Sequence, residues 1–169
     1  IGGGYVGVGS DQAYFFIGWA RPEYAWLIDY DDDVVSIHAV YRDFLEAAET
    51  PEAFYALWAK DTRKESAKLI EAADEESTKA LRVLYLQHRG WIERRLRGQL
   101  KRLGRAKVSC WLNDQNMYDF VRDLVLADRV RPMVANLLED GAIRHVAESA
   151  RKLGVPVRVL YLSNAEEYW

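Results

Sequence analysis

A chain of 169 residues fits one ordinary domain and is long enough to bury a substantial core. Half of its residues are apolar, with six tryptophans and ten tyrosines, which excludes a disordered chain, and a net charge of -3 provides no general attraction to nucleic acid. The single cysteine, Cys110, excludes an internal disulfide; set between Ser109 and Trp111 in an apolar run, it reads as a buried, inert thiol.

The first element is Tyr5 to Val8, a short apolar run that breaks at Gly9, after which Ser10 or Asp11 can cap a helix from about Gln12 to Ala20. Arg21-Pro22 ends that helix, because a residue before proline is pushed out of the helical region, and Tyr24 to Ile28 is a second apolar run with Asp29 directly after it. Strand, turn, helix and strand in this order lie side by side and parallel in a doubly wound sheet, so the turn after the first strand and Asp29 after the second open on one crevice. There Gly7 and Gly9 would let the backbone approach a ligand, and the amides at the helix start suit an anion. Asp29 would accept hydrogen bonds from ribose hydroxyls, at about the spacing a dinucleotide fingerprint requires. The alternative is that the glycines only make a tight strand-to-helix turn. The third glycine of a dinucleotide fingerprint would fall at position 12, where Gln12 crowds the helix against the strand, so NAD and FAD are disfavoured.

Asp31-Asp32-Asp33 leads into a helix over Val34 to Glu49, whose apolar residues recur at helical spacing from Val34 and Ile37 to Leu45 and Ala48. The three acids read as a cap favoured by the helix dipole; successive side chains diverge, and nothing else supplies an octahedral shell for magnesium, so no metal site is assigned. His38, one turn into this helix, reads as a core or surface histidine, with a catalytic role as the alternative. Thr50-Pro51-Glu52 starts another helix. Residues 62–103 are rich in helix formers and free of proline, and read as two or three helices broken near Ala73-Asp74 and at Gly90. Parallel strands need only a dozen or so crossover residues, so about residues 50–104 form a helical insertion, a side wall or lid for a pocket at the strand ends.

Between His88 and Lys107 the cations Arg89, Arg94, Arg95, Arg97, Lys101, Arg102, Arg105 and Lys107 stand against the single acid Glu93. Such a cluster can bind a phosphate backbone, with Trp91 stacking on a base. The first reading is nonetheless the solvated face of a helix whose apolar stripe is Ile92, Leu96, Leu100 and Leu103.

Lys107 to Leu112 returns to strand character, Met117 to Leu126 is a helix, Val130 to Val134 a strand and Asp140 to Leu153 a helix ending at Gly154. Val155 to Leu162 is a last strand, apolar enough for a sheet covered on both faces. Asn113 with Asp114, Asn136, and Ser163 with Asn164 then fall at strand ends and would line the crevice as substrate-binding groups, although each residue type also punctuates ordinary turns. The alternation predicts an α/β, Rossmann-like three-layer fold: a mostly parallel sheet of about five strands with the helical insertion. No Ser-His-Asp order, zinc-ligand spacing or phosphate-binding loop with its lysine supports a hydrolase, a zinc enzyme or a nucleoside triphosphatase.

Gly7, Gly9 and Asp29 resemble the opening third of a class I S-adenosylmethionine-dependent methyltransferase. That resemblance implies the cofactor on Gly7, Gly9, Ser10, Asp11 and Gln12, its ribose on Asp29 and its adenine against Tyr30 or residues near Asn113. Asp11 departs from the glycine often found there; its charge would repel a carboxylate or phosphate and suit the amine of an amino-acid moiety. The runs Gly7-Val8-Gly9-Ser10-Asp11-Gln12, Ala20-Arg21-Pro22 and Tyr161-Leu162-Ser163-Asn164-Ala165-Glu166 also resemble a family of uncharacterised bacterial proteins with a Rossmann-like domain, which implies the fold and no activity. Methyl transfer to an unknown acceptor, with no essential base assigned, is one expectation; a non-catalytic binding or interaction protein using the basic helix 89–107 is the other. No apolar stretch reaches the about 18 residues of a bilayer span, and a cytoplasmic protein is the default expectation. A single domain over residues 1–169 is expected, although Ile1 in place of methionine fits a piece of a longer chain.

Overall fold

A computed structural model describes residues 1–137 and 141–163. The chain folds as β1 (Gly4–Val8), α1 (Asp11–Ala20), β2 (Tyr24–Asp29), α2 (Asp32–Ala47), α3 (Pro51–Ala56), α4 (Arg63–Lys68), α5 (Glu75–Arg105), α6 (Gln115–Leu126), β3 (Val130–Val134), α7 (Ala142–Leu153) and β4 (Val157–Tyr161). The strands make one parallel sheet in the order β3-β2-β1-β4. Crossovers from β1 to β2 to β3 move in one direction with α1 and α2 on one face, and the return from β3 to β4 places α7 on the other.

The two faces follow from strand periodicity. Tyr5, Ala25 and Leu27 point into an aromatic core under α1 to α6, while Val6, Trp26 and Ile28 point to a smaller cluster with Val146 and Ala150 of α7. The larger core is built of rings: Tyr14 stacks on Tyr41 at 4.7 Å, Tyr41 meets Trp58 at 5.0 Å, and Phe54 meets Trp111 at 5.0 Å. Each such fully buried side chain contributes about 2 kcal/mol or more over its exposed state.

Two helix starts, at Asp31 and Thr50, lie where the sequence places them, Asp74 and Asp114 cap two more, and Ser10, expected to cap α1, makes no capping hydrogen bond. Asp31 accepts from the Asp33 amide, Thr50 from Ala53 with Pro51 in the first turn, Asp74 from Ser77, and Asp114 from Met117. Gly154 ends α7 in the left-handed conformation at φ 68°.

Four strands are present among the described residues, not about five. The expected strand at Lys107 to Leu112 is an irregular turn that buries Cys110, Trp111 and Leu112 against the helices without pairing to the sheet. Gly90 does not break the helix either: α5 runs unbroken through it, held by the buried Tyr85, Ile92 and Leu96 on either side. β4 is an edge strand rather than one covered on both faces, with Val157 and Leu160 exposed. No helix among the described residues is long and apolar enough to cross a membrane.

Candidate functional site

The parallel pairing of β1 with β2 brings Val8 opposite Ile28, so the glycine turn and Asp29 leave the sheet side by side. Gly9 has φ +93°, a conformation that side chains rarely adopt, and a methyl group built on it would meet nothing within 4 Å. It is therefore the glycine that both makes the turn and leaves open space in front of it. Gly7 serves another purpose: a side chain there would collide with the ring of Tyr5, so its absence accommodates the core rather than a ligand. Asp29 accepts from the Asp31 amide at 3.1 Å. Partial burial raises its carboxyl above the usual range, opposed chiefly by that bond and also by the neighbouring amides of Tyr30 and Gly9. The carboxylate thus already braces the two strand-end loops against each other.

Asp11 is not offered to a ligand. It is fully buried; Ser10 Oγ donates to its Oδ1 at 3.1 Å, and Arg95 Nε of α5 donates to its Oδ2 at 3.0 Å. The insertion is therefore tied directly to the glycine turn. The Arg95 guanidinium also lies over the Trp91 indole, 4.4 Å from the ring centroid.

Between the turn, the start of α2 and the middle of α5 is a cleft of about 430 Å³. Ser10, Asp31, Asp33 and His88 give it polar groups; Val34, Ile37, Trp91 and Ile92 give it an apolar wall. His88 Nε2 stands 3.6 Å from Asp33 Oδ2 on its rim. A flat apolar group would lie along Trp91, and hydroxyl or cationic groups would be met by the aspartates. No group of three metal-ligating side chains stands together among the described residues.

Beneath the turn, His38 Nδ1 and the Tyr14 hydroxyl are 2.9 Å apart and buried. Burial pushes the imidazole down to about 4, with the Gly9 backbone opposing, so it is a neutral core group adjoining the site. Sequence reasoning did not find this pair, nor Asp11 with Arg95. The partners are 24 and 84 residues apart, and only the aromatic and basic character of their helices marked them.

Of the remaining expected residues, Tyr30 is exposed beside Asp29, and Gln12 lies half-buried in the first turn of α1. Asn136 follows β3 on the same edge of the sheet. Asn113 does not follow a strand: its side chain accepts from the Cys110 amide at 2.7 Å, in a turn where the Ser109 carbonyl accepts from Trp19 at the far end of α1. That turn stands away from the glycine loop. Asn164 lies outside the described residues.

Fold and strand-end geometry together define an α/β domain with a parallel four-stranded sheet and a cleft walled by its helical insertion. The chain belongs to a family described as a domain of unknown function, DUF7790, whose model it matches over residues 1–169. No curated protein matches it.

Proposed function

We propose that this Rossmann-like domain binds a nucleoside-type ligand in the cleft beside Ser10, with S-adenosylmethionine as the first candidate, and transfers its methyl group to an acceptor. The observation that carries the reading is the pairing, across one cleft at the ends of β1 and β2, of an indole with two aspartates. Its volume of about 430 Å³ is in the range of small-molecule sites.

In this reading adenine stacks on Trp91, and the ribose hydroxyls donate to Asp29 or Asp31. Asp33 faces the positive charge of the sulfonium or ammonium. Asp11 cannot serve the ammonium while Arg95 holds it. The same aspartates repel phosphates, which disfavours dinucleotides and nucleoside triphosphates here. In the transfer, a lone pair on the acceptor forms the new bond to the methyl carbon, the sulfur–methyl bond breaks, and its electron pair stays on sulfur. Alignment of acceptor, carbon and sulfur supplies most of the rate.

Titration calorimetry with S-adenosylmethionine and S-adenosylhomocysteine tests it. Micromolar binding, about 8 kcal/mol, is expected for the wild type, with large losses in Trp91→Ala and Asp33→Asn. Asp29→Ala should lose it too, but that carboxylate also braces the loops, so the first two variants decide. No heat and no thermal stabilisation at high ligand excess would remove the assignment.

A further inference from the structure

The eight cations between His88 and Lys107 are not equivalent. Arg89 donates to the Trp58 carbonyl, Arg95 to Asp11, and Arg97 to Glu93 and Tyr55. Arg94, Lys101, Arg102, Arg105 and Lys107 make no side-chain hydrogen bond or ion pair among the described residues. Nor do they hold the helix in place, since Ile92, Leu96, Leu100 and Leu103 pack α5 on the core.

Helical spacing sorts them onto one face. Trp91, Arg94, Arg95, Gly98, Arg102 and Arg105 recur at intervals of three and four, on the side of α5 away from its apolar stripe. A groove of about 530 Å³ lies along this face, walled by Trp91, Arg94, Arg95, Gln99 and Arg102, with Gly98 among them. Gly98 is informative. A methyl group built here would meet nothing within 4 Å, as at Gly104 of the same helix, so a larger side chain at Gly98 would rise into the groove rather than against the core.

We propose that this face of α5 is the track of a single polynucleotide strand, whose phosphates lie on Arg94 and Arg102 and one of whose bases stacks on Trp91. Trp91 is 45% exposed, and Arg95 covers one side of its ring. From Trp91 to Arg102 the helix rises about 16 Å, room for a few nucleotides at the roughly 3.4 Å of a stacked strand. A single strand fits better than a duplex because only an unpaired base can leave its neighbours for the indole. The overall charge of -3 does not oppose this, because the attraction acts at the local groove, where Debye screening hides distant acids. Trp91 also lines the neighbouring cleft, and with Arg95 over one side of its ring the open side takes either this base or the adenine of the nucleoside reading, so the two ligands exclude each other there.

The test is fluorescence anisotropy with labelled oligothymidylate and oligouridylate of about 20 nucleotides, with no nucleoside ligand present, across a salt series. The outcome is therefore independent of the calorimetry above, and either can fail alone. Binding of at least one strand is expected. Arg94→Ala with Arg102→Ala should lower the slope of log K against log salt by about 1.4, two contacts at about 0.7 each. Trp91→Ala should weaken binding about tenfold. Gly98→Leu should weaken it while leaving Tm unchanged or higher, a pairing that a merely structural role cannot produce. Absence of binding at low salt overturns the proposal. So does binding that Trp91→Ala leaves intact and polyglutamate displaces as well as an oligonucleotide does, which would assign the face to an acidic protein.

Discussion

The hydroxyl of Tyr14 on α1 and Nδ1 of His38 on α2 are 2.9 Å apart inside the core, joining the two helices that flank the glycine turn. With the imidazole neutral, the tautomer decides which of the two donates. The folded value near 4 lies below the ordinary 6.5, so the unfolded chain binds the proton first. The stabilisation is complete above pH 6.5 and is lost as pH falls from there toward 4, in all about 3 kcal/mol. Urea unfolding at successive pH values checks this through the difference between wild type and His38→Gln, whose amide offers Tyr14 either a donor or an acceptor. That difference should shrink as pH falls from 7 to 4; a pH-independent gap would assign the titration elsewhere.

Asp43 on α2 works with the opposite sign. It accepts from the Glu71 amide at 3.1 Å, and burial, together with the charges of Glu46 and Glu71, pushes its carboxyl up to about 6. The fold therefore favours the protonated acid. Its contribution is complete below the unfolded value of 3.8 and is lost as pH rises to 6. Because the group is half exposed, solvent screening leaves about 1 kcal/mol. Asp43→Asn retains the acceptor and removes the charge, so it should equal or exceed the wild type by that amount at pH 7 and match it at pH 4. Thermal melts at the two pH values decide.

Gly7 and Gly9 should respond to alanine for different reasons. At Gly9 the cost is backbone strain at φ +93° with no collision, about 1–2 kcal/mol. At Gly7 the cost is the collision with Tyr5, about 1–3 kcal/mol. Adding Tyr5→Leu should recover part of the loss in Gly7→Ala and none of it in Gly9→Ala, a coupling that a double-mutant cycle measures.

Arg95→Met strands a fully buried carboxylate with only the Ser10 hydroxyl, and should cost about 3 kcal/mol. Asp11→Asn leaves Arg95 partly in water and should cost less. The double variant should be more stable than Arg95→Met alone. Denaturant midpoints of the four proteins give the comparison.

Where apolar runs end on strong breakers, the sequence was sufficient. Pro22, Gly9 and the helix start at Thr50 bracket elements that the structure places within a few residues of expectation, and Val130 to Val134 needed no adjustment. Lys107 to Leu112 misled because burial has more than one cause. Its apolar side chains reach the core through ring packing, Trp111 against Tyr118 at 6.1 Å, instead of through a ladder. β4 misled because apolar composition does not say which strand is the edge. At the site, the meeting of Gly9 with Asp29 was legible, since sequence-adjacent parallel strands bring their ends together. The commitment of Asp11 to Arg95 was not, because local patterns carry no information on which of eight cations returns to a given acid.

The pairing of β2 with β3 also joins residues far apart in the chain. Ala25 pairs with Val130, yet residues 30–129 stand between the two strands. Closing a flexible loop of that length costs about 4 kcal/mol in chain entropy. Rings in the intervening segment, Tyr41, Trp58 and Trp111, shorten that loop when they cluster, so helices that dock first would lower the cost of bringing in β3. Without β3, β2 is an unprotected sheet edge open to mispairing, so the long intervening segment guards the sheet by delivering its covering strand.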